Sequence, residues 1–349
     1  MKLNSFSAVT LTYLLALGIF SSCTSDTKGK STEAKKTDAV ENVEEQEQAA
    51  VIERLPVDTA LYNKKNKELA NGDTSGLWPV KKQPYPIDGA ILPNKRIVVY
   101  YGNLYSKKMG ALGEYAPNEM WKMLKKEVQN WEKADPKTPV QVGIHYIAVV
   151  ASGSPGKDGM YINRMPDSQI DSALAIAKMH NAIVFLDIQV GLSTIQKELP
   201  KLEKYMMMPH VHLGIDPEFS MKDGSLPGKK IGTYDAADIN YVSQYLADLV
   251  NKHNLPPKVL VVHRFTRRMV TNYQNVKLRK EVQIVSHMDG WGEPELKKGT
   301  YRHFIYSEPI QFTGFKIFYK NDLKRAPNRL MTPEELLKLK PQPIYIQYQ

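Results

Sequence analysis

The sequence is poor in cysteine, because Cys23 is the only one among 349 residues. A single cysteine excludes an intramolecular disulfide, and it cannot by itself build a zinc knuckle or an iron–sulfur site. The chain also lacks internal repeats, which argues against a solenoid or a propeller. Its hydrophobic fraction of 42% excludes a disordered or collagen-like chain. We therefore expect a sizeable hydrophobic core.

Motifs of several common enzyme classes are missing as well. No Gly-x-Gly-x-x-Gly turn follows the first apolar run, and there is no Gly-x-Ser-x-Gly nucleophile elbow. The chain has no His-Glu-x-x-His motif and no His-x-His pair in its first apolar run. The spacing signal for a metal is therefore weak, and the sequence predicts no cofactor.

The N-terminus has the pattern of an export signal. Lys2 precedes an uncharged run from Ala8 to Phe20, and small residues follow up to Cys23. The run is too short to span a bilayer comfortably. Residues 20–23 resemble the lipobox of bacterial lipoproteins, although Phe20 stands where leucine is usual. The resemblance implies cleavage after residue 22 and a lipid such as palmitate on Cys23, which would attach the protein to a membrane of the cell envelope. An ordinary signal peptide with a chance cysteine is the alternative, and both predict export.

The next segments differ sharply in composition. Residues 23–54 are rich in Ser, Thr, Lys, Glu and Gln and predict a disordered tether. Residues 55–94 contain Trp78, Tyr85 and Leu92 among prolines, and we expect this segment to pack on the following domain. The domain itself is predicted to span residues 95–349.

The positive charge belongs to that last domain. The net charge is +10, yet the first 94 residues carry 11 Lys and Arg against 12 Asp and Glu. A basic exported domain favours anionic envelope polymers or lipid headgroups as partners and argues against nucleic acid. The alternative is that the charge serves solubility alone. The oligomeric state is left open.

Eight apolar runs alternate with amphipathic segments from residue 95 onward. Near-continuous apolar runs such as residues 96–101 and 181–187 are typical of parallel strands that are covered on both faces. We predict strands at 97–102, 140–150, 182–189, 210–215, 259–263, 282–288, 314–319 and 343–348. We predict helices at 118–133, 167–180, 193–207, 236–253, 270–279, 295–305 and 333–339. This alternation predicts a (β/α)8 TIM-type barrel in which no helix follows the eighth strand, with an open doubly wound sheet as the alternative.

Polar residues cluster at the carboxyl ends of the predicted strands, where barrel active sites lie. Asp187 and Gln189 alternate with Ile183 and Phe185, so their side chains should point into the barrel mouth. A buried carboxylate without a partner is costly, and several at one place indicate a site. Such a set could also be a structural network that braces the barrel. The predicted substrate-binding residues are Tyr101, Glu114, Asp187, Gln189, His263, Arg264, Trp291, Lys316 and Gln347.

Paired carboxylates at a barrel mouth fit glycoside hydrolysis. Asp216 and Asp289 resemble the strand-4 nucleophile and strand-6 acid/base of α-galactosidase-like barrels. Residues 214–218 resemble the end of the chitinase strand-4 motif, which implies that Glu218 is the acid and that Asp216 orients the substrate. The chitinase pattern is incomplete, because His212 and Gly214 replace its earlier aspartates. The predicted catalytic residues are therefore Asp216, Glu218 and Asp289.

Six short stretches together resemble a family of secreted bacterial lipoproteins of unassigned activity, with a glycoside-hydrolase-like barrel. They lie at residues 100–103, 109–114, 186–189, 215–218, 262–265 and 288–290. The resemblance implies export and a shared site, and it adds Glu114 to the carboxylates of interest, but it implies no reaction.

Three functional hypotheses follow from these residues. The leading one is an envelope-anchored glycoside hydrolase that acts on a glycan or another envelope polymer. The second is a lipoprotein that binds such a polymer without catalysis. A metal-dependent hydrolase is the third, since several acids and histidines are strand-associated, namely His145, His212, His263, His287, Asp187 and Asp289.

Overall fold

A computed structural model of the chain describes residues 55–81 and 83–349. The predicted signal peptide, Cys23 and the predicted tether at 23–54 lie outside the described residues. Within the described part of the chain, no helix has both the length and the apolar character needed to cross a membrane.

Eight parallel strands close into a barrel. They pair in chain order, and the first strand pairs with both the second and the eighth, as in Val98 with Val142 and with Ile346. The predicted TIM-type (β/α)8 fold is thus confirmed. The strands are β1 (Arg96–Gly102), β2 (Val140–Ala151), β3 (Ile183–Ile188), β4 (Val211–Ile215), β5 (Lys258–Arg264), β6 (Val282–Met288), β7 (Phe312–Ile317) and β8 (Tyr345–Tyr348).

The helices lie mostly between successive strands. The longest two begin at Pro117 and Ala236, and the side chain of Asp235 caps the second of them in a capping box. The helices are α1 (Thr59–Leu69), α2 (Ala111–Glu114), α3 (Pro117–Ala134), α4 (Asp167–Lys178), α5 (Ile195–Glu198), α6 (Glu203–Met206), α7 (Ala236–Lys252), α8 (Pro294–Tyr301) and α9 (Pro333–Leu336).

The prediction of a helix at 270–279 is wrong. Val270–Thr271 is a short strand that pairs in parallel with Tyr234–Asp235, and Asn272 then adopts a left-handed conformation with a φ of 54°. The side chains of Thr271 and Asn272 both donate to Asp235 Oδ2, at 2.7 and 2.6 Å. These side-chain bonds hold the segment in a turn that competes with a helix.

Two other elements differ from their predicted form. The helix predicted at 193–207 consists of α5, a 3-10 turn at Leu199–Leu202 that contains Pro200, and α6. Proline lacks the N–H that a continuous α-helix would need there. Strand β7 begins and ends two residues earlier than predicted. It ends at Ile317 because the next amide, that of Phe318, donates to Asp322 Oδ2 at 2.9 Å.

The barrel interior is apolar near the beginnings of the strands and polar near their ends. Ile97, Val99, Phe185, Val261 and Phe312 form one buried cluster inside the barrel. Their neighbours in sequence face outward and pack against the helices in a second cluster. Both faces of each strand are therefore covered, as their near-continuous apolar sequences predict.

Residues from the 55–94 segment contact the end of the barrel where the strands begin. Leu92 belongs to the interior cluster, and its backbone exchanges two hydrogen bonds with the Gln283 side chain, at 3.0 and 2.6 Å. The carbonyl of Leu69 accepts from Gln342 N at 2.7 Å. The polar end of the barrel is left on the opposite side.

Four aromatic side chains cover the outer face of β1 and β8. Tyr100 and Tyr319 share a hydrogen bond of 2.8 Å, and Trp131 Nε1 of α3 donates to Tyr348 OH at 3.0 Å. The rings of Tyr319 and Tyr348 are stacked with centroids 5.5 Å apart. This cluster seals the seam at which the barrel closes.

Candidate active site

The carboxyl ends of the strands surround a cavity of about 530 Å³. Ligand sites of TIM barrels lie at this end, and a cavity of this size suits a small ligand or a few sugar units. Charged, amide and aromatic side chains line it together, among them Tyr101, Lys108, Gln189, Asp216, Glu218, Phe265, Asp289, Trp291, Lys316 and Phe318.

Asp289, just beyond the end of β6, is held between a histidine and a lysine. Its Oδ2 lies 2.7 Å from His263 Nδ1, and its Oδ1 lies 2.9 Å from Lys316 Nζ. Burial would raise the pKa of Asp289, but Lys316 and His263 outweigh it and hold the pKa below its ordinary value. Asp289 is therefore ionised at neutral pH.

Asp187, from β3, is fully buried beneath the cavity floor. Tyr101 OH donates to its Oδ2 at 2.9 Å, while Nε2 of His145 and of His263 lie 3.4 and 3.7 Å from its Oδ1. Burial opposes ionisation, yet these two histidines keep the pKa of Asp187 below its ordinary value. Conversely, Asp187 and Asp289 overcome burial and raise the pKa of His263.

Asp216, directly after β4, is in the opposite state. Its Oδ1 accepts from Glu218 N at 3.0 Å and its Oδ2 accepts from the Gln189 amide at 3.4 Å. Burial raises its pKa well above the ordinary value; the nearby carboxyls of Glu218, Asp187 and Asp289 add to this rise, and His263 opposes it. Asp216 thus favours its protonated form more than an ordinary aspartate does, and its side chain helps to hold the Glu218 backbone.

Glu218 is half-buried at the cavity wall, in a 3-10 turn that Asp216 caps. Burial, followed by the negative charge of Asp289, raises the pKa of Glu218 to about 7, against the opposing effect of Lys316. The two carboxyls Asp289 and Glu218, which both line the cavity, therefore have pKa values displaced in opposite directions. Carboxyls whose surroundings separate their pKa values in this way are typical of acid and base roles in one active site.

Aromatic rings line the walls of the same cavity. Trp291 is 46% exposed, and Phe265 and Phe318 line the cavity with it. Lys316 Nζ lies 3.7 Å from the centroid of the Tyr101 ring, which holds the lysine beside Asp289. Flat rings beside carboxyls and an amide suit a ligand that has both apolar faces and hydroxyl groups.

Five of the predicted substrate-binding residues do not line the cavity. Two of them, Asp187 and His263, are fully buried, and the other three lie elsewhere. Arg264 points away from the barrel interior, where it pairs with Glu308 and donates to backbone carbonyls such as that of Arg267 at 3.0 Å. Glu114 pairs with Lys320 outside the cavity. Gln347 lies in the interior layer, 3.1 Å from His145 Nδ1.

Phe265 and Phe318 were not among the predicted site residues. Each follows a predicted site residue by two positions, Phe265 after His263 and Phe318 after Lys316. Alternation along a strand puts residues two apart on the same face, so this signal could have found both. His145 was considered only as a metal ligand, yet its contact with Asp187 makes it part of the site's support.

Two groups of residues could hold a metal ion within the described part of the chain. They are His145 with Asp187 and His263, and His263 with His287 and Asp289; within each group the ligand atoms lie within 4.8 Å of one another. All five residues are buried. Neither group includes Glu218 or Asp216.

Comparison with known proteins identifies no family. No family model matches the chain, and no curated protein matches it. Among solved structures, it is similar to a GH5-4 broad specificity endoglucanase from Clostridium longisporum, at 11% sequence identity and a TM-score of 0.34, over 64% of this chain and 75% of that one. A similarity of this size carries no argument about activity, so the function has to rest on the site geometry.

Proposed function

We propose that this protein is a glycoside hydrolase in which Glu218 is the general acid and Asp289 is the ionised carboxylate partner. The observation that carries the proposal is that these two carboxyls line one aromatic-lined cavity, where their surroundings displace their pKa values in opposite directions. Glycosidases need such a pair, because one carboxyl protonates the leaving oxygen while the other acts from its charged form.

Glu218 would donate its proton to the glycosidic oxygen as the bond to the anomeric carbon breaks. Water supplies the hydroxyl group that ends on the anomeric carbon, and its remaining proton returns to the active site. A pKa near 7 leaves Glu218 largely protonated in mildly acidic solution and makes it a good proton donor there.

Asp289 would stabilise positive charge at the anomeric carbon, either as a nucleophile or as the base for the attacking water. The two roles give different products, since a covalent intermediate retains the anomeric configuration and direct attack by water inverts it. NMR of the first-formed anomer distinguishes them. Asp216 would position Glu218, because its side chain accepts the Glu218 amide.

A glycan-binding protein without catalysis is the second candidate. The observation that favours it is that both oxygens of Asp289 already contact a basic side chain, His263 on one side and Lys316 on the other. A carboxylate held in this way has less freedom to attack carbon or water. Under this alternative the same cavity binds sugars and Glu218 only contributes hydrogen bonds.

The deciding experiment is a glycan-release screen. The wild-type chain, Glu218→Gln and Glu114→Gln are incubated with envelope, plant and algal polysaccharides, and the products are identified by chromatography and mass spectrometry. We expect release by wild type and by Glu114→Gln, whose carboxyl lies outside the cavity, but not by Glu218→Gln. Saturable binding of a glycan with no release by any of the three would favour the binding alternative.

The cavity aromatics provide a separate prediction. Trp291→Ala is expected to raise KM for an identified glycan by about 3- to 10-fold with kcat little changed, because an exposed ring stacks equally on the substrate and on its transition state. Trp291→Phe should recover part of the loss. The measurement is steady-state kinetics; a fall in kcat at unchanged KM would assign the ring a different role.

We further propose that the enzyme is anchored to the cell envelope through a lipid on Cys23 and acts on a polymer of the envelope or its surroundings. The support is the lipobox-like sequence at 20–23 and the basic charge of the barrel domain. Cys23→Ser should abolish labelling by a palmitate analogue and move the protein from the membrane to the soluble fraction. Membrane association that survives this substitution would contradict the anchor.

A further inference from the structure

Three polar atoms without a hydrogen-bond partner converge inside the barrel, below the cavity floor. They are His145 Nε2, Asp187 Oδ1 and His263 Nε2, which come from strands β2, β3 and β5. Each of these side chains is fully buried. Buried polar atoms in proteins are nearly always satisfied, so three at one place indicate a missing partner.

The spacing of these atoms suits a shared ion better than direct hydrogen bonds. The two nitrogens lie 3.4 and 3.7 Å from Asp187 Oδ1, whereas N–H···O bonds have lengths of about 2.7–3.2 Å. Donors that surround one tetrahedral Zn²⁺ at about 2.0–2.1 Å lie about 3.3–3.4 Å apart. The ligand atoms of this group all lie within 4.8 Å of one another, so a contraction around one ion would bring them to ligand distance.

The remaining polar atom of each side chain is already held by a neighbour. His145 Nδ1 contacts Tyr345 OH at 2.6 Å, His263 Nδ1 contacts Asp289 Oδ2 at 2.7 Å, and Asp187 Oδ2 accepts from Tyr101 OH at 2.9 Å. Histidines that bind a metal through one nitrogen characteristically use the other in this way. The outer contacts therefore aim the three unpartnered atoms at a common point.

Strand β4 leaves room beside these atoms through Gly214. A Cβ at this position would collide with both His145 Nε2 and Asp187 Oδ1. A glycine is thus required for the two side chains to meet where they do. The second group of possible ligands is less suited, because the ammonium group of Lys316 already lies 2.9 Å from Asp289 Oδ1.

We propose that His145, Asp187 and His263 form a binding site for one divalent transition-metal ion, with Zn²⁺ as the ion that best fits two imidazoles and a carboxylate. The site lies beneath the cavity, with Tyr101 between Asp187 and the cavity. It does not rest on the proposed hydrolase activity, since Glu218 and Asp216 are not ligands. The ion would brace three strands below the active site and fix His263 against Asp289.

The competing explanation needs no metal. A doubly protonated His263 would lie between Asp187 and Asp289 and neutralise part of their charge, with the three atoms left at their present spacing. The two explanations differ in one measurable quantity, the amount of metal that the folded chain retains.

The test uses the full-length chain in mild detergent, stripped with a chelator, incubated with Zn²⁺ and passed over a desalting column. Metal content is measured by mass spectrometry, and Co²⁺ loading is followed by visible absorption, which reports tetrahedral nitrogen and oxygen ligation. We expect about one Zn²⁺ per chain and an intense Co²⁺ spectrum. Wild type that is folded by circular dichroism yet retains less than one tenth of an equivalent overturns the proposal.

The matched variants are Asp187→Asn and His145→Gln, with His212→Gln as the control. His212 is a buried histidine inside the barrel on β4 that belongs to neither group of possible ligands. Zinc affinity should fall at least about 100-fold in the first two and stay unchanged in the control. Equal zinc retention in all folded variants would mean that the ion binds elsewhere, which also refutes the site.

If the ligand variants do not fold, the wild-type cobalt spectrum and the control decide. Loss of glycan hydrolysis in Glu218→Gln leaves metal content unchanged, so failures of the two proposals are distinguishable.

Discussion

Glu218→Gln is expected to lower the rate of glycan hydrolysis by about 10³-fold, because a positioned general acid contributes roughly 10²–10⁴-fold. Glutamine keeps the size of the side chain but cannot give up a proton. The measurement is kcat/KM at pH 6 on the glycan identified in the release screen. Circular dichroism and the Glu114→Gln variant control for misfolding and for the general loss of a carboxyl.

The pH profile provides the sharper form of this prediction. Glu218 has to be protonated to act, and its pKa is about 7, so activity should be highest below pH 7 and fall as the pH rises through that value. The alkaline limb should be absent from the residual activity of Glu218→Gln. Substrates with strongly acidic phenol leaving groups need little protonation, so the variant should recover most of its rate on them. An alkaline limb that persists in Glu218→Gln would assign the acid to another group.

Asp289→Asn has the second large expected effect. The substitution removes a buried charge and leaves His263 and Lys316 without their shared anion. Breaking a buried ion pair from one side costs about 3–5 kcal/mol of the free energy of unfolding, and the loss of the catalytic carboxylate should lower kcat/KM by at least about 10²-fold. Stability is measured by urea denaturation and activity on the same glycan.

The charge change also shifts the pH profile in a direction that the geometry determines. Asp289 raises the pKa of Glu218 and Lys316 lowers it. The alkaline limb should therefore move to lower pH in any residual activity of Asp289→Asn and to higher pH in Lys316→Met. Shifts of the alkaline limb in the same direction in both variants would contradict its assignment to Glu218. A substitution that only destabilises the fold would leave the alkaline limb of that variant where it is in the wild type.

Much of the fold could be predicted because each strand is buried on both faces and therefore reads as a continuous apolar run. Alternation within the third strand also placed Asp187 and Gln189 on the inner side, and both lie there. The predicted helix at 270–279 failed because side-chain hydrogen bonds override the hydrophobic pattern there. The carboxylate of Asp235 holds residues 271–272 in a turn.

The site was harder to predict than the fold, because partners come from distant parts of the chain. Alternation along β5 puts the neighbours His263 and Arg264 on opposite faces, but only the fold shows that His263 faces Asp289 while Arg264 faces away and pairs with Glu308. The pKa values of Asp216 and Glu218 depend on burial and on charged side chains from other strands. Neither can be read from the amino-acid composition. The resemblances in the sequence therefore named the carboxyls but implied two conflicting sets of roles, between which only their surroundings in the fold decide.

The pairing of β1 with both β2 and β8 has a consequence for the order of assembly. Because the chain is synthesised from its N-terminus, Val98 can pair with Val142 early. Its other partner, Ile346, is synthesised much later. Until then β1 presents an unpaired edge, which other chains can extend by adding a strand. Contacts so distant in sequence also form slowly. We therefore expect an open sheet to precede the closed barrel, and a chaperone that shields exposed strand edges should increase the yield of closed barrels.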